Sequence, residues 1–445
     1  MPDILTDLER LQAIATEHGG TRPAGSAGHD ASVEFVADEL RQAGYVVELQ
    51  PVALPAFEQQ GPSVLEVVGG GAAFEDIRDF KAMLFSGTGD VTAPLYDLGF
   101  DPRFEPDQPR GLGCDPNHWT DVPAGVVVLA QPGPCRRLEV VLAAQEAGAV
   151  AIVTAYPGWT RDAVLRPTLV DPTGVRIPVI GATEAMGAAL AKAALDGASV
   201  HVETDTLVET RTSINVIAET PGGDASNVLM LGGHLDSVVD GPGINDNGTG
   251  TMTVLEIARE VAALTAANPA AGPAWKVRVA FWTGEEIGLL GSFAYARGLT
   301  PDAIGAIRAY LNFDMLGSSN GIRTVYDGQA TSNPAASGVV SDLFIQAIEA
   351  QGLGWQPEAV GAVSDQFPLD QLGIAVGGLF SGANEHKSAP QAVLFGGTAG
   401  APNDPCYHLE CDTVDNVDAV LLEHMARAAA WVAGALISGE VDLAL

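Results

Sequence analysis

Leu5, Leu8, Leu11 and Ile14 recur at helical spacing and predict a helix from Leu5 to about Ala15. Val33, Val36 and Leu40 repeat the pattern between Ala31 and Ala43, and Gly44 supplies a stop. Tyr45-Val-Val-Glu-Leu-Gln50 then reads as a strand. From about Pro55 to Leu207 the pattern changes to Gly, Pro and short β-like runs, among them Val64–Val68, Ala93–Asp97 and Val126–Leu129. Val140–Ala147 has helical character and stops at Gly148, between apolar runs at Ala149–Thr154 and Ile177–Ile180. From Arg211 onward, apolar runs at Asn215–Ala218, Val228–Leu231, Val277–Phe281, Ala309–Phe313 and Ile374–Phe380 alternate with helical patterns such as Met252–Ala258. An Ala-rich helix, Ala419–Ile437, closes the chain. Such alternation predicts an α/β fold with a mostly parallel mixed sheet covered by helices. The β-rich stretch 55–207 reads as an inserted accessory domain, leaving 1–54 and 208–445 as one main domain.

Three of the main-domain strands end on groups that bind or serve a metal. Val228–Leu231 leads to His234, with Asp236 two residues on and Asp246 in the glycine-rich turn that follows. Val277–Phe281 runs through Trp282-Thr-Gly into Glu285-Glu286, and Ala309–Phe313 ends at Asp314. His408, in Cys406-Tyr-His-Leu-Glu-Cys411, supplies a second imidazole. The carboxyl ends of parallel strands are where open α/β folds hold ligands. Buried acids without partners are costly, so their recurrence there calls for a cation. Two histidines and several carboxylates suit two zinc ions, with Asp246 shared between them. Adjacent Glu285 and Glu286 point in different directions, so one can ligate while the other serves as general base. Asp236 is placed to orient the imidazole of His234; a surface Asp in a turn is the plainer alternative.

Composition narrows the function further. The chain has 445 residues and a formal charge of −34, from 22 basic and 56 acidic residues. That surface repels nucleic acid and anionic membranes. No run of 18 apolar residues is present that would cross a bilayer, and the nearest candidate, Met425–Ile437, contains Arg427. Cys114, Cys135, Cys406 and Cys411 suggest two local disulfides and an oxidising compartment, against the alternative of four free thiols. The start Met1-Pro-Asp-Ile is not a secretory leader and reads as a mature form given a new Met.

These residues resemble the secreted bacterial di-zinc aminopeptidases of the Streptomyces type. The matching pieces are Gly233-His-Leu-Asp-Ser237, Gly243-Ile-Asn-Asp-Asn-Gly248, Gly284-Glu-Glu-Ile-Gly288, Tyr310-Leu-Asn-Phe-Asp-Met315, Gly377-Gly-Leu-Phe380 and Cys406-Tyr-His408, in order. The resemblance implies a zinc-peptidase fold with two zincs per chain, His234 and Asp314 as terminal ligands at different zincs, Glu286 and His408 completing them, and Asp246 bridging. It implies Glu285 as general base, Tyr407 as the hydroxyl that steadies the oxyanion, and a cis peptide at Asp246-Asn247. It also implies a disulfide between Cys406 and Cys411. The middle section resembles a protease-associated domain through Gly125–Leu129 and Ala143–Thr154. Two departures stand out. Val363-Ser-Asp365 lacks the Arg that precedes Ser-Asp in the relative. Leu422 and Ala426 replace its calcium-holding acids, so calcium is not carried over although Asp3-Ile4 is matched.

The activity implied is release of N-terminal, apolar residues from peptides or proteins by metal-activated water, outside the cell, with no nucleic acid or membrane partner. Phe380 and Gly378 are candidates for the apolar pocket beside the scissile bond. The rivals are a carboxypeptidase on the same fold, which would want Arg in the pocket; a receptor-like module, which would not need Glu285; and a single-zinc acyltransferase, which would not need the second histidine.

Overall fold

The computed structural model describes residues 2–70, 74–103, 112–161, 164–267, 273–441 and 443. The chain forms two compact units, Met1–Leu54 with Thr212–Leu445, and Pro55–Arg211. The first is built on an eight-stranded mixed sheet. Its strand order is Val46–Gln59, Thr206–Glu219, Trp275–Trp282, Asp224–His234, Ile307–Phe313, Val376–Phe380, Thr324–Tyr326 and Gln356–Glu358. The four central strands, from Trp275–Trp282 to Val376–Phe380, are mutually parallel.

These strands read as unbroken apolar runs because both faces of the sheet are covered. Leu229, Leu231, Val279, Phe281 and Leu311 face a core shared with the helices Pro2–Glu17, Gly250–Ala267 and Ala419–Ile437. Met230, Ala280, Trp282 and Tyr310, one residue out of step, pack into a second core with Tyr295 and Leu369. Trp282 Nε1 donates to the Tyr310 hydroxyl at 2.8 Å, which satisfies the indole inside that core. The register aligns His234 with Trp282, and Leu231 with both Val279 and Leu311. Parallel strands in this register release their chains at one edge, and that edge carries the candidate site.

Helix Ala419–Ile437 contains an apolar window long enough to cross a membrane by length and composition alone. Here half of that window is buried, and Leu422, Met425, Ala429 and Val432 are core residues.

The second unit has a seven-stranded sheet in the order Val64–Val67, Ser199–Thr204, Gly89–Asp97, Val127–Ala130, Ala151–Tyr156, Val179–Thr183 and Phe80–Ala82. Helices Arg137–Glu146 and Glu184–Leu195 accompany it, and Cys114 is bonded to Cys135. Ser199–Thr204 escapes a hydrophobicity reading because its outward positions are Ser199, His201 and Glu203, and only Val200 and Val202 enter the core.

His29 is fully buried in helix Ala27–Gln42. Its Nε2 lies 3.2 Å from the Ile214 carbonyl and its Nδ1 has no partner. Burial pushes its pKa down to about 4, with the Arg22 charge adding to the effect and the Ile214 bond opposing it. The folded pKa lies below the unfolded one. The stabilisation is therefore complete above the unfolded value near 6.5 and is lost as pH falls toward 4, by up to about 3 kcal/mol. Denaturant unfolding at pH 7 and pH 4.5 is expected to show a smaller acid loss in His29→Gln than in the parent chain. Equal losses in the two proteins would contradict this assignment.

Candidate metal centre

His234 is the last residue of a central strand, so a buried backbone ladder fixes its position. Its Nδ1 lies 3.0 Å from the carbonyl oxygen of Asp236 and 3.9 Å from that residue's carboxylate. The main chain of Asp236, rather than its side chain, thus sets the tautomer and turns Nε2 into the site. The Asp236 carboxylate instead accepts from the Glu285 amide at 3.3 Å and joins two strand ends. Burial, with Glu286 adding and His234 opposing, pushes Asp236 up to about 7.

Five ligand candidates converge. His234 Nε2 lies 3.2 Å from Asp246 Oδ1 and 3.4 Å from Asp314 Oδ1. His408 Nε2 lies 3.1 Å from Asp246 Oδ2 and 3.0 Å from Glu286 Oε2. Each oxygen of Asp246 therefore faces a different imidazole. Ligand atoms of His234, Asp246 and Glu286 also fall within 4.8 Å of one another, so the two halves form one compact cluster. These edges of 3.0–3.4 Å lie at or slightly below the roughly 3.3–3.6 Å that separates ligands of a tetrahedral zinc with bonds of about 2.0–2.2 Å. Buried Glu286 Oε1 and Asp314 Oδ1 have no hydrogen-bond partner. Imidazole nitrogens, carboxylate oxygens and orphaned buried anions are what a pair of divalent cations requires, so the residues present fit the metal.

Electrostatics agree. Burial works against the charged form of both imidazoles, yet the surrounding carboxylates, Asp314 and Glu285 at His234 and Glu286 and Asp246 at His408, raise both well above their ordinary value. Burial first, and then Glu286 and Asp314, hold Glu285 well above the usual carboxylate range, with His234 pulling the other way. A carboxyl group with such a displaced affinity for protons, facing a cleft, suits proton transfer.

The loop that carries Asp246 is anchored at many points. Asp412 accepts from the Asn245 amide at 2.8 Å and the Asp246 amide at 3.0 Å. Asn245 Nδ2 donates to Asp404, which in turn accepts from the Cys406 amide next to the His408 segment. Asn247 Nδ2 donates to the Phe313 carbonyl, and its Oδ1 accepts from Met315. The Asp246-Asn247 peptide is cis. Ser364 Oγ donates to Asp314 Oδ2 at 2.7 Å and accepts from Asn312. His408 takes a positive φ of 60°, a strained choice for a non-glycine residue, inside the loop closed by the Cys406–Cys411 disulfide. The Tyr407 ring stacks on it at 3.8 Å.

A cavity of about 310 Å³ opens over the cluster. Asp246, Glu285, Asp314, Tyr407 and His408 line it with Met315, Tyr326, Val363 and Phe380. Gly378 is placed differently from the expectation that it lines the pocket. It pairs with Asn312 one pleat back, where an added Cβ would lie 2.3 Å from the Asn312 carbonyl and 2.9 Å from the Tyr326 ring. Its small size admits neighbouring strands and does not shape the cleft. Asp412, open in the sequence between a support for His408 and a helix cap, holds the Asn245 and Asp246 amides; Ser364, Asn247 and Arg22 went unread in this role, since a polar residue that supports a ligand has no periodic signature.

Residues 215–433 match the profile of peptidase family M28, and residues 91–190 match the PA domain. An aminopeptidase of Pseudomonas aeruginosa is 35% identical over 437 residues, which is 97% of this chain and 80% of the relative. The chain belongs to peptidase family M28. It is also 34% identical to leucine aminopeptidase 2 of Arthroderma otae, over 94% of this chain and 80% of the relative. Among solved structures, an aminopeptidase from Aneurinibacillus sp. strain AM-1 superposes with a TM-score of 0.75 at 24% identity, covering 97% of this chain and 92% of that one. A zinc aminopeptidase from Bacillus subtilis gives 0.74 at 22%, covering 99% and 96%. At these identities the two structures establish a shared fold. The M28 match covers the strands that deliver the cluster, and the PA match lies within the second unit.

Two substitutions test the supports. Asp412→Ala leaves two buried amides without an acceptor and is expected to cost about 2 kcal/mol or more, read from the denaturant midpoint. Ser364→Ala frees one oxygen of Asp314 and is expected to weaken zinc binding by roughly tenfold in chelator competition. Unchanged affinity in Ser364→Ala would show that Asp314 is held by other contacts.

Proposed function

We propose that the protein is a two-zinc aminopeptidase that removes N-terminal residues, apolar ones included, from peptides. The observation that carries this reading is Asp246, whose two oxygens face two different imidazoles beneath a cleft that Glu285 also enters. His234 and Asp314, which the resemblance assigns to different ions, lie 3.4 Å apart and would hold the same one; His408 and Glu286 would hold the other, with Asp246 shared between them. When bound, the ions supply Lewis acidity toward the scissile carbonyl and the attacking water.

The chain's own groups supply the remainder. Glu285 removes the proton of the attacking water and returns it to the departing amine. Tyr407, whose hydroxyl is held protonated by its desolvated position and by the carboxylates of Asp246 and Glu286, donates to the developing oxyanion. Asp314 and Glu285 offer the negative surroundings that the free α-amine of the substrate requires. Met315, Val363 and Phe380 form an apolar wall for the first side chain. Asp236 positions both His234 and Glu285. The insertion 55–207 is an accessory domain. Both cysteine pairs are bonded and no free cysteine is present among the described residues, which supports an oxidising, extracytoplasmic location.

Leucine p-nitroanilide and its N-acetyl analogue, with chelator and zinc-restored controls, test the activity. Zinc-dependent cleavage of the free amine alone is expected, and cleavage of both substrates would point to an amidase without amine recognition. Glu285→Ala is expected to keep its zinc and lose at least about a hundredfold in turnover. His408→Ala is expected to lose zinc. Two zincs retained by His408→Ala in metal analysis would remove that residue from the ligand set.

A further inference from the structure

Arg22 lies in the turn between helices Pro2–Glu17 and Ala27–Gln42 and is 1% exposed. A guanidinium so deeply buried normally sits against a carboxylate. Here Nε, Nη1 and Nη2 all donate to main-chain carbonyls of the segments that carry the metal-binding candidates. Nε donates to Pro242 at 3.0 Å, Nη2 to Gly243 at 2.8 Å, and Nη1 to Leu235. The backbone of Arg22 is engaged as well: its amide donates to Ser237 Oγ at 2.8 Å, and its carbonyl accepts from the Ser237 amide at 3.1 Å.

Leu235 follows His234, and Gly243 precedes the Asn245-Asp246 pair. One planar fork therefore ties the strand end that presents His234 to the turn that presents Asp246. Its rigid donors fit this task, and a flexible ammonium on a longer stem would not reproduce them. Gly243 has a positive φ of 67°, and an added Cβ there would lie 2.5 Å from both the Asp246 carbonyl and Ser237 Cβ and 3.2 Å from Nη2, so the turn closes tightly beside the guanidinium. Asp236, Asp246, Glu286 and Asp412 are the charges that favour its ionised form. Burial lowers its pKa only to about 10, so the cation persists throughout the physiological range.

We propose that Arg22 is a positioning residue of the metal centre: it fixes the spacing of the His234 and Asp246 segments and offsets their acidic surroundings, so that the site is formed before metal enters. This rests on the metal-ligand reading of the cluster. Arg22 is not among the residues lining the cleft, so its effect reaches catalysis through the ligands alone.

Zinc affinity of the full chain, stripped and titrated against a chromogenic chelator, separates this role from general packing. Arg22→Lys keeps the charge and loses the fork. It is expected to bind zinc about 10- to 100-fold more weakly, as loss of a ligand-orienting partner does. Turnover is expected to recover in excess zinc, with KM for leucine p-nitroanilide unchanged. A folded Arg22→Lys with parental zinc affinity, or with a raised KM at saturating zinc, overturns the proposal. Ser237→Ala removes the acceptor of the Arg22 amide while leaving the guanidinium in place. A severalfold weakening in the same direction is expected there, and parental affinity in Ser237→Ala overturns the proposal where Arg22→Lys does not fold. Failure of the parent chain to take up zinc would instead reject the metal reading itself.

Discussion

Mutual repulsion among buried carboxylates is the constraint on which the main unit depends. Asp236, Asp246, Glu285, Glu286 and Asp314 share a small volume with only two imidazoles among them. Without a cation such a cluster would either take up protons or push its segments apart. The sheet resists the second outcome because its central strands are clamped on both faces by apolar cores. The polar supports beneath it hold the loops at the strand ends. The site is thus a charged assembly mounted on an apolar frame, and neither part accounts for the geometry alone.

The strand-end acids and His234 were legible in the sequence because they follow apolar runs of a parallel sheet, and His408 because it sits between two close cysteines. The pairing of those runs into one sheet follows from alternation with helices, and the edge at which they open follows from their being parallel. What could not be read was how the layer below connects. Asp412 contacts Asp246 from 166 residues away, and Arg22 contacts Leu235 from 213 residues away. In the sequence, one is an acid after a cysteine and the other a lone base in a glycine-rich turn. Gly378 shows the opposite error. Its neighbour Phe380 does line the cleft, but strand alternation and a close backbone approach leave Gly378 inside the sheet.

The same layer explains why the first helices belong to the metal-bearing unit although no cleft residue comes from them. Leu8 and Leu11 pack against Gly248 in the Asp246 turn, and Gln12 accepts from the Val414 amide beyond Asp412. The opening segment is a bracket that presses on the ligand loops from behind. Its hydrophobic periodicity records the packing and gives no hint of the polar contacts that accompany it.

The chain leaves the main sheet along Val46–Gln59 and returns along Thr206–Glu219, and these two strands are hydrogen-bonded neighbours. Both ends of the insertion therefore lie side by side at the sheet margin, on the two strands outside the central four. A short turn joining them would leave the order of all other strands unchanged. The accessory unit can in that sense be exchanged, lengthened or lost over evolutionary time without rethreading the frame that carries the chemistry.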